Sequence, residues 1–497
     1  MKSTVTLLAL SATLATAKDW PMWGGDASRN MVAQAKDLPT EILTGTLTDE
    51  EQADLSEAKN VKWAAKLGSQ AYGNTVVGNG LVLVGTNNES PRDPKQKGDR
   101  GVLMAFDEKS GEFRWQLVIP KLGAGKVSDW EYVGLCSSPA IEGDRAWLVS
   151  NRGEIICLDL NGMANGNDGP FKDEATYMSA DGNAVALHDG LADIIWKFDM
   201  REELGVFPHN VSSCSPLIIG DMIVAATSNG MDWSHTNIPN PSAPALCAVD
   251  KNTGQLLGEE ASGVSARVLH ASWSSPAFGK LGDKNAIVWG GGDGFAYAFD
   301  PKPKEDEEGF MIFNEFWKHD CNPPEYREKD GEPIKYATFA GPSEIIGTTV
   351  VADNHVYALL GQDPEHGDGV GMISCLDADG KVVWSSKEVG RSISTVAVHE
   401  GLVYAAEYDG DIHCFDAKTG EHHWKHETLS RIWGSPLVAD GKVWLGTEDG
   451  ELHILDTGKE LKAHEPVIFE APIYSSPVVA NDTLYIATQT HLYAIGK

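Results

Sequence analysis

Three charged residues stand at the same offset from three successive copies of a repeated segment. Glu344, Arg391 and Arg431 each lie three residues before a strand start of the S-S-P type. His270 and Asn210 lie four residues before two other copies. The position directly before a copy is aromatic in four of them, namely Tyr72, Trp273, Trp433 and Tyr474.

These residue types suit the binding of a flat ligand that carries several negative charges. Guanidinium groups bind carboxylates through paired hydrogen bonds, and aromatic faces stack on planar rings. If the copies converge on one axis, the residues predict an axial pocket for such a ligand. The alternative is that Glu344 pairs with an arginine and that the aromatic rings fill the channel.

The repeated segment has the composition of a four-stranded β-meander. Its tail is "ISCLDADGKVVW" at 373–384 and "IHCFDAKTGEHHW" at 412–424. The Asp that ends the third strand stands at 377, 416 and 456, so these copies are 39 and 40 residues apart. Each copy has an S-S-P-like strand start, often a D-G hairpin turn, an Asp that ends the third strand, and a fourth strand. That fourth strand carries Trp115, Trp196, Trp317, Trp384 or Trp424. Four antiparallel strands in about 40 residues are typical of a propeller blade, and eight copies predict an all-β, eight-bladed propeller over residues 60–497.

The eighth copy lacks a fourth strand of its own. It ends at "LYAIGK", whereas Val61-Lys62-Trp63 stands before the first copy without three strands preceding it. An open ring would expose two unpaired strand edges, so the strand at 61–63 is expected to complete blade 8. Residues 18–59 are expected to form an extension packed on the propeller, and residues 160–193 an insertion in blade 2.

The repeat resembles that of the quinoprotein-like family, whose propellers are built from pyrroloquinoline quinone (PQQ) repeats with the tail AxDxxTGxxxW. The resemblance covers about residues 60–497 and implies a PQQ-dependent alcohol or sugar dehydrogenase as one possible function, with Ca²⁺ beside the quinone. The residues that would serve are Glu344 and Asn210 as metal ligands, Trp273 or Trp433 as stacking ring, Arg391 or Arg431 as carboxylate clamp, and Asp363 as base. The adjacent cysteine pair that such enzymes commonly carry is absent, as is the C-x-x-C-H motif for haem attachment.

Two other functions stay open on this fold. The family also includes an outer-membrane assembly lipoprotein that binds no quinone, so the chain is alternatively a non-catalytic interaction scaffold for envelope proteins. The loop at 229–244 alternatively predicts a glycan-binding propeller, because Trp233 would stack on sugar rings. Long loops on the same face offer His235, Glu365 and His366 as further ligand contacts. The expected partner is a small-molecule ligand or an envelope protein.

The insertion in blade 2 concentrates oxygen ligands. Hard oxygen donors at this density predict a possible Ca²⁺ site, although the spacing does not match the EF-hand loop and the same residues are common in turns. The candidates are Asp159, Asn161, Asn165, Asn167, Asp168 and Asp173.

The N-terminus has the pattern of a secretory signal peptide. Lys2 precedes an apolar stretch, and Ala15-Thr16-Ala17 forms an A-x-A cleavage site, so residues 1–17 are predicted to be removed after Ala17. The apolar stretch is too short to span a bilayer and no Cys follows the cleavage site. We therefore expect a periplasmic or secreted protein with neither a membrane span nor a lipid anchor.

Charge and cysteine content narrow the partners further. The chain has 72 acidic and 40 basic residues and a net charge of −32, which argues against nucleic acid or anionic lipid as a partner. Seven cysteines without a C-x-x-C motif favour buried structural thiols. Cys136 and Cys214 begin adjacent inner strands, and whether they pair is left open.

Overall fold

The copies of the repeat fold into antiparallel four-stranded sheets, and eight such blades occur in the residues that the structure describes. The computed structural model describes residues 18–179, 182–338, 340–364 and 369–497. The predicted signal peptide, residues 1–17, lies outside the described residues. The prediction of an all-β, eight-bladed propeller is confirmed.

In blades 1 to 4 the four strands pair in chain order from the axis outward, and in blade 4 two short strands that join the sheet of blade 3 precede the fourth strand. The strands are Val76–Gly78, Leu81–Asn87, Arg100–Asp107 and Phe113–Pro120 in blade 1; Ala140–Glu142, Arg145–Val149, Glu154–Asp159 and Asp193–Asp199 in blade 2; Leu217–Ile219, Met222–Ala226, Leu246–Asp250 and Leu256–Glu260 in blade 3; and Ala277–Leu281, Lys284–Gly290, Phe295–Phe299 and Glu315–Asp320 in blade 4.

Blades 5 to 7 follow the same order, and blade 8 takes its fourth strand from the beginning of the chain. The strands are Val350–Ala352, His355–Leu359, Ile373–Leu376 and Val382–Ser386 in blade 5; Ala397–His399, Leu402–Ala406, Asp411–Asp416 and His422–Glu427 in blade 6; Leu437–Ala439, Lys442–Gly446, Glu451–Asp456 and Val467–Ile468 in blade 7; and Val478–Ala480, Thr483–Ala487, His491–Ile495 and Val61–Lys66 in blade 8.

Blade 8 closes the ring as predicted. Val61–Lys66 pairs antiparallel with His491–Ile495, and Trp63 lies opposite Ala494. The pairing removes the open edge that the last three strands would otherwise present to solvent.

Few elements lie outside the blades. Among the described residues, no helix combines the length and the apolar character needed to cross a bilayer. The helices are Glu174–Tyr177, Met200–Leu204 and Pro324–Arg327, with 3-10 turns at Gly125–Val127, Gly162–Asn165 and Ser265–Arg267. The additional short strands are Val32–Ala33, Thr46–Leu47, Ala53–Asp54, Lys304–Glu305, Met311–Phe313, Glu328–Lys329 and Glu332–Pro333. Of these, Met311–Phe313 and Lys304–Glu305 extend the sheet of blade 3 beyond its fourth strand, and Val32–Ala33 pairs with the inner strand of blade 7.

The recurring Trp and Gly of the repeat join neighbouring blades. Trp384 of blade 5 donates its indole N–H to the carbonyl of Ala417 in blade 6 over 2.9 Å. Its ring covers Gly420, where an added Cβ would stand 2.6 Å from the ring. Only a residue without a side chain fits this close approach, so the motif is an interblade contact. The same contact pairs Trp63 with Gly111, Trp196 with Gly254, and Trp317 with Gly380.

Among the described residues, the S-S-P strand starts are linked by hydrogen bonds at six of the eight junctions between neighbouring blades. The second residue of each such motif is Ser, Thr or Asn. At these junctions its side-chain oxygen accepts a hydrogen bond from the backbone N–H of the second motif residue in the preceding blade. For example, Ser435 Oγ accepts from Thr395 N over 2.8 Å. The six bonds of this kind run from Ser138 to Ser215, Ser215 to Ser275, Thr348 to Thr395, Thr395 to Ser435, Ser435 to Ser476, and Ser476 to Asn74. The motif therefore holds the inner strands together.

Residues 18–33, here called the axial plug, contact the inner strands of all eight blades. Val32–Ala33 runs parallel to Leu437–Ala439 of blade 7. Seven blades donate a backbone N–H to the plug: Asn481 to Lys18, Val77 to Trp20, Ile141 to Pro21, Phe278 to Ala27, Val351 to Ser28, Val398 to the Asn30 side chain, and Val438 to Met31.

Arg29 anchors the plug to blade 3 as well. Its buried guanidinium donates to the carbonyls of Ser215, Pro216 and Pro276, and to that of Trp23 within the plug. Burial lowers the pKa of Arg29 to about 10, which leaves the group charged at neutral pH. The plug therefore closes one end of the axis.

Candidate functional site

A cavity of about 440 Å³ occupies the end of the axis away from the axial plug. A smaller space of about 170 Å³ continues from it along the axis and ends at Trp23 of the plug. The larger cavity is open on its far side, so ligand access is from the face of the long loops. Its aromatic lining is Tyr72, Trp130, Tyr132, Trp273 and Trp433, and its polar lining includes Gln70, Glu131, Asn210 and Asp363.

The aromatic residues before blades 7, 8 and 1 pack together. The rings of Tyr72 and Tyr474 stack at 4.9 Å, and Trp433 lies 5.9 Å from Tyr72 and 5.5 Å from Tyr474. Trp433 also donates its indole N–H to Glu448 over 2.9 Å. Burial, and then the neighbouring Tyr474, raises the pKa of Tyr72, so this hydroxyl stays protonated. The cluster forms one rigid wall of the cavity.

Asn210 is fixed by the connection between blades 1 and 2. Its backbone N–H donates to Val127 O over 2.8 Å, and its carbonyl accepts from Trp130 N over 2.9 Å. It adopts a left-handed conformation with φ of 55°. Its side-chain amide donates to Asp363 Oδ2 over 3.2 Å. The amide and the carboxylate thus form a polar pair in a mostly aromatic cavity.

Glu344 and His270 lie behind this lining. Both side chains are almost completely buried, and His270 Nδ1 stands 3.8 Å from Glu344 Oε1. Burial, and then the charge of Asp363, raises the pKa of Glu344 well above its usual range. The edge of the His270 ring meets Trp273 at 5.0 Å between ring centroids. Glu344 and His270 therefore support the cavity wall from outside.

Arg391 and Arg431 do not line the cavity. Like Glu344, each accepts through its carbonyl a backbone N–H from the residue two positions after the second strand of its blade, so the backbone positions are equivalent. The side chains turn instead to Tyr408, with guanidinium carbons 4.5 and 5.6 Å from its ring centroid. Arg391 is also paired with Asp409 at 3.1 Å.

The lining of the cavity is consequently negative. Among the described residues it contains the carboxylates Glu131 and Asp363 and neither Lys nor Arg. Cys136 contributes a free thiol to the wall, and burial raises its pKa to about 12. Cys214 is a separate free thiol that accepts from Ala226 N over 3.1 Å.

Two of the predicted calcium ligands meet a third carboxylate. Oxygens of Asp159, Asp168 and Asp193 lie within 4.8 Å of one another. Arg145 pairs with Asp159 at 2.6 Å and supplies part of the neutralising charge. Burial, and then neighbouring carboxylates, raises the pKa of Asp193 to about 6.

The other predicted calcium ligands have different neighbours. Asn161 and Asn165 donate their amide N–H groups to Asp159 over 3.0 and 3.5 Å. Asn167 donates to Glu174 over 2.8 Å, and Asp173 is an exposed residue before the short helix. Calcium binding here stays a prediction.

Sequence reasoning missed part of the lining and one histidine. Trp130, Glu131 and Tyr132 enter from the connection between blades 1 and 2, where "SDWEY" was an available aromatic signal. His209, directly before Asn210, lies against His270 with 4.3 Å between ring centroids. Trp233 is 66% exposed, outside the lining, and Glu365 and His366 lie outside the described residues.

The fold and the repeat define a PQQ-repeat β-propeller. The sequence profile of the family described as outer membrane protein assembly factor BamB matches residues 369–496. A curated relative is the quinoprotein alcohol dehydrogenase PedE of Pseudomonas putida, 37% identical over 73 residues. The matched stretch covers 14% of this chain and 12% of that enzyme. The chain is thus related to quinoprotein dehydrogenases and to BamB, as the resemblance predicted.

Solved structures share the fold along nearly the whole chain. The quinohemoprotein alcohol dehydrogenase of Comamonas testosteroni has a TM-score of 0.62 at 11% identity, over 97% of this chain and 81% of that one. A europium-containing methanol dehydrogenase has 0.60 at 13%, over 95% and 89%. BamB of Moraxella catarrhalis has 0.53 at 16%, over 87% and 96%. At these identities the likeness shows the fold alone.

Proposed function

We propose that the protein is an exported binding protein whose axial cavity takes an uncharged ring ligand, a sugar or a similar polyol. The observation that carries the proposal is the lining itself. Tyr72, Trp273 and Trp433 offer faces and edges for stacking, and Asn210 and Asp363 offer an amide and a carboxylate for hydroxyl groups. Convergent polar groups in an aromatic concavity are the usual composition of a small-molecule site.

The described residues do not fit a planar tricarboxylate such as PQQ. Arg391 and Arg431, the predicted clamps, lie over Tyr408 outside the cavity. Glu131 and Asp363 would stand against the ligand's own carboxylates. We therefore derive no step through a quinone.

Export is supported by the signal-peptide pattern of residues 1–17. The carbonyl of Lys18, the first residue after the predicted cleavage point, accepts from Asn481 N over 3.2 Å. Removal of residues 1–17 would leave the whole axial plug in the mature chain. The mature protein would then have its binding face open and its other end closed.

The test is calorimetric titration of the mature chain with a panel of neutral mono- and oligosaccharides. Trp433→Ala is expected to weaken binding at least about tenfold, which is about 1.4 kcal/mol and typical of one lost stacking contact. Asp363→Asn is expected to weaken it by a similar factor, because hydrogen bonds to charged acceptors contribute about 1.5–3 kcal/mol. Trp233→Ala is the matched control, because that ring is exposed outside the cavity.

Each contrary result points to a different function. Binding that is lost in Trp233→Ala but kept in Trp433→Ala would move the glycan site to the loop at 229–244. Uptake of PQQ with Ca²⁺, followed by dye reduction with an alcohol, would overturn the proposal in favour of a dehydrogenase. Co-purification of an envelope protein without any sugar binding would favour a scaffold.

A further inference from the structure

Three histidines from separate segments converge behind the cavity wall. His209 precedes blade 3, His270 precedes blade 4, and His235 comes from the loop at 229–244. One ring nitrogen of each lies within 4.8 Å of the others. The ring centroids are 4.3 Å apart for His209 and His270, and 5.1 Å from each of these to His235.

The surroundings of the cluster orient the rings as metal ligands are oriented. His209 Nδ1 hydrogen-bonds to the carbonyl of Met231. Because a carbonyl only accepts, Nδ1 carries the hydrogen and Nε2 keeps its lone pair. Glu344 is the carboxylate next to His270, at 3.8 Å from Nδ1. Metal-binding histidines usually donate their other ring N–H to a carbonyl or a carboxylate, as His209 does here. Glu344 would have to approach His270 by about 1 Å to accept such a hydrogen bond.

Trp273 does not direct its indole N–H to the histidine rings. Its indole N–H is already directed to the carbonyls of His209 and Val211, at 3.1 and 3.0 Å. It therefore packs against His270 through its ring alone. His209 and His270 are each only 1% exposed, whereas His235 is half-buried and gives access from the loop face.

We propose that His209, His235 and His270 bind a divalent transition-metal ion, with Zn²⁺ as the first choice. Neutral imidazoles are preferred ligands of zinc and copper, whereas calcium prefers oxygen. Tetrahedral zinc with bonds of about 2.0–2.1 Å places its nitrogen ligands roughly 3.3 Å apart. The present limit of 4.8 Å therefore requires the rings to converge by about 1.5 Å at most.

The ion would lie in the wall of the axial cavity. His209 is followed directly by the lining residue Asn210, and His270 touches the lining residue Trp273. Three protein ligands leave a fourth coordination position, as in zinc sites that hold water or a substrate group. Glu344 acts through His270 as a positioning residue. The inference stands independently of which ligand enters the cavity.

The first experiment measures metal content and coordination in the full mature chain. Protein treated with a chelator, then dialysed against Zn²⁺, is expected to retain about one zinc per chain. Cobalt substitution is expected to give the visible absorption of a tetrahedral nitrogen site without a thiolate charge-transfer band, because the cluster of described residues contains three histidines and no cysteine. Co²⁺ is also expected to quench Trp273, whose ring centroid is 5.0 Å from that of His270, and Trp273→Phe should remove this quenching.

The variants separate the site from adventitious binding. His235→Gln is expected to weaken zinc binding by roughly 100-fold or more, and Glu344→Gln by about tenfold. His464→Gln, at a surface histidine paired with Asp456 over 2.8 Å, should leave it unchanged. Folded wild-type protein that retains no stoichiometric zinc would overturn the proposal, and so would zinc retention that His235→Gln does not reduce. Sugar binding can fail while zinc binding succeeds, so the two proposals are refuted separately.

Discussion

Replacing Gly420 by alanine tests the contact by which each tryptophan docks on the next blade. Gly420 has a φ of +72°, and its new Cβ would stand 2.6 Å from Cδ2 of Trp384. The left-handed conformation costs an alanine about 1–2 kcal/mol. Carbon atoms pack at about 3.5–4.0 Å, so the ring or the turn must move by about 1 Å. Overpacking of this kind adds about 1–3 kcal/mol, for a total of about 2–5 kcal/mol.

Gly441 provides the matched control for the backbone cost. It has a φ of +68°, and no described atom lies within 4 Å of the Cβ position. Gly441→Ala should therefore lose only about 1–2 kcal/mol. Urea unfolding of both variants, followed by tryptophan fluorescence, measures the difference. Equal losses in the two variants would show that the glycine is required for its conformation alone, and would refute the docking argument.

Two further predictions concern buried charge. Arg29→Met should lower the free energy of unfolding by about 3–5 kcal/mol, because four buried carbonyls are left without a donor at about 1 kcal/mol or more each, whereas the exposed control Arg114→Met should cost less than about 1 kcal/mol in the same urea titration. Asp193 has a folded pKa of about 6, above the unfolded value of 3.8, so its protonation favours the folded state at low pH. That stabilisation is complete below the unfolded pKa and disappears as the pH rises through about 6, and thermal unfolding across pH 4–8 should show a flatter profile in Asp193→Asn. Stability unchanged in Arg29→Met, or an identical pH profile in Asp193→Asn, would contradict the respective argument.

The propeller was predictable because its determinants lie within one repeat. The turn glycine, the following tryptophan and the Asp that ends the third strand recur together. The glycine and the tryptophan act on a neighbouring blade, whereas the Asp accepts backbone N–H groups from the turn of its own repeat. The closure of blade 8 followed from the strand at 61–63, since a ring has only one place for an unpaired strand. The path of the axial plug was not predictable, because Arg29 and its carbonyl partners in blades 3 and 4 are nearly 200 residues or more apart.

The sequence pattern predicted which backbone positions face the axis, but it did not predict where long side chains at those positions point. The offset from each S-S-P start located the positions around the axis correctly, and Tyr72, Trp273 and Trp433 do line the cavity. The direction of a long side chain depends on what lies beside it. Arg391 and Arg431 find the face of Tyr408, which follows the second strand of blade 6, and the repeat pattern contains no information about that competition.

The axial plug closes one end of the propeller, so the candidate cavity opens at the other. At the plug end, the inner strands are joined by equivalent hydrogen bonds and covered by backbone contacts from residues 18–33, so every blade is used in a similar structural way. At the other end the connections differ in length and sequence from blade to blade. Asn210, Asp363 and the three histidines all come from those unequal connections. If the proposed ligand and metal bind there, a change of either would require changes only in loops, and the strands beneath them could stay as they are.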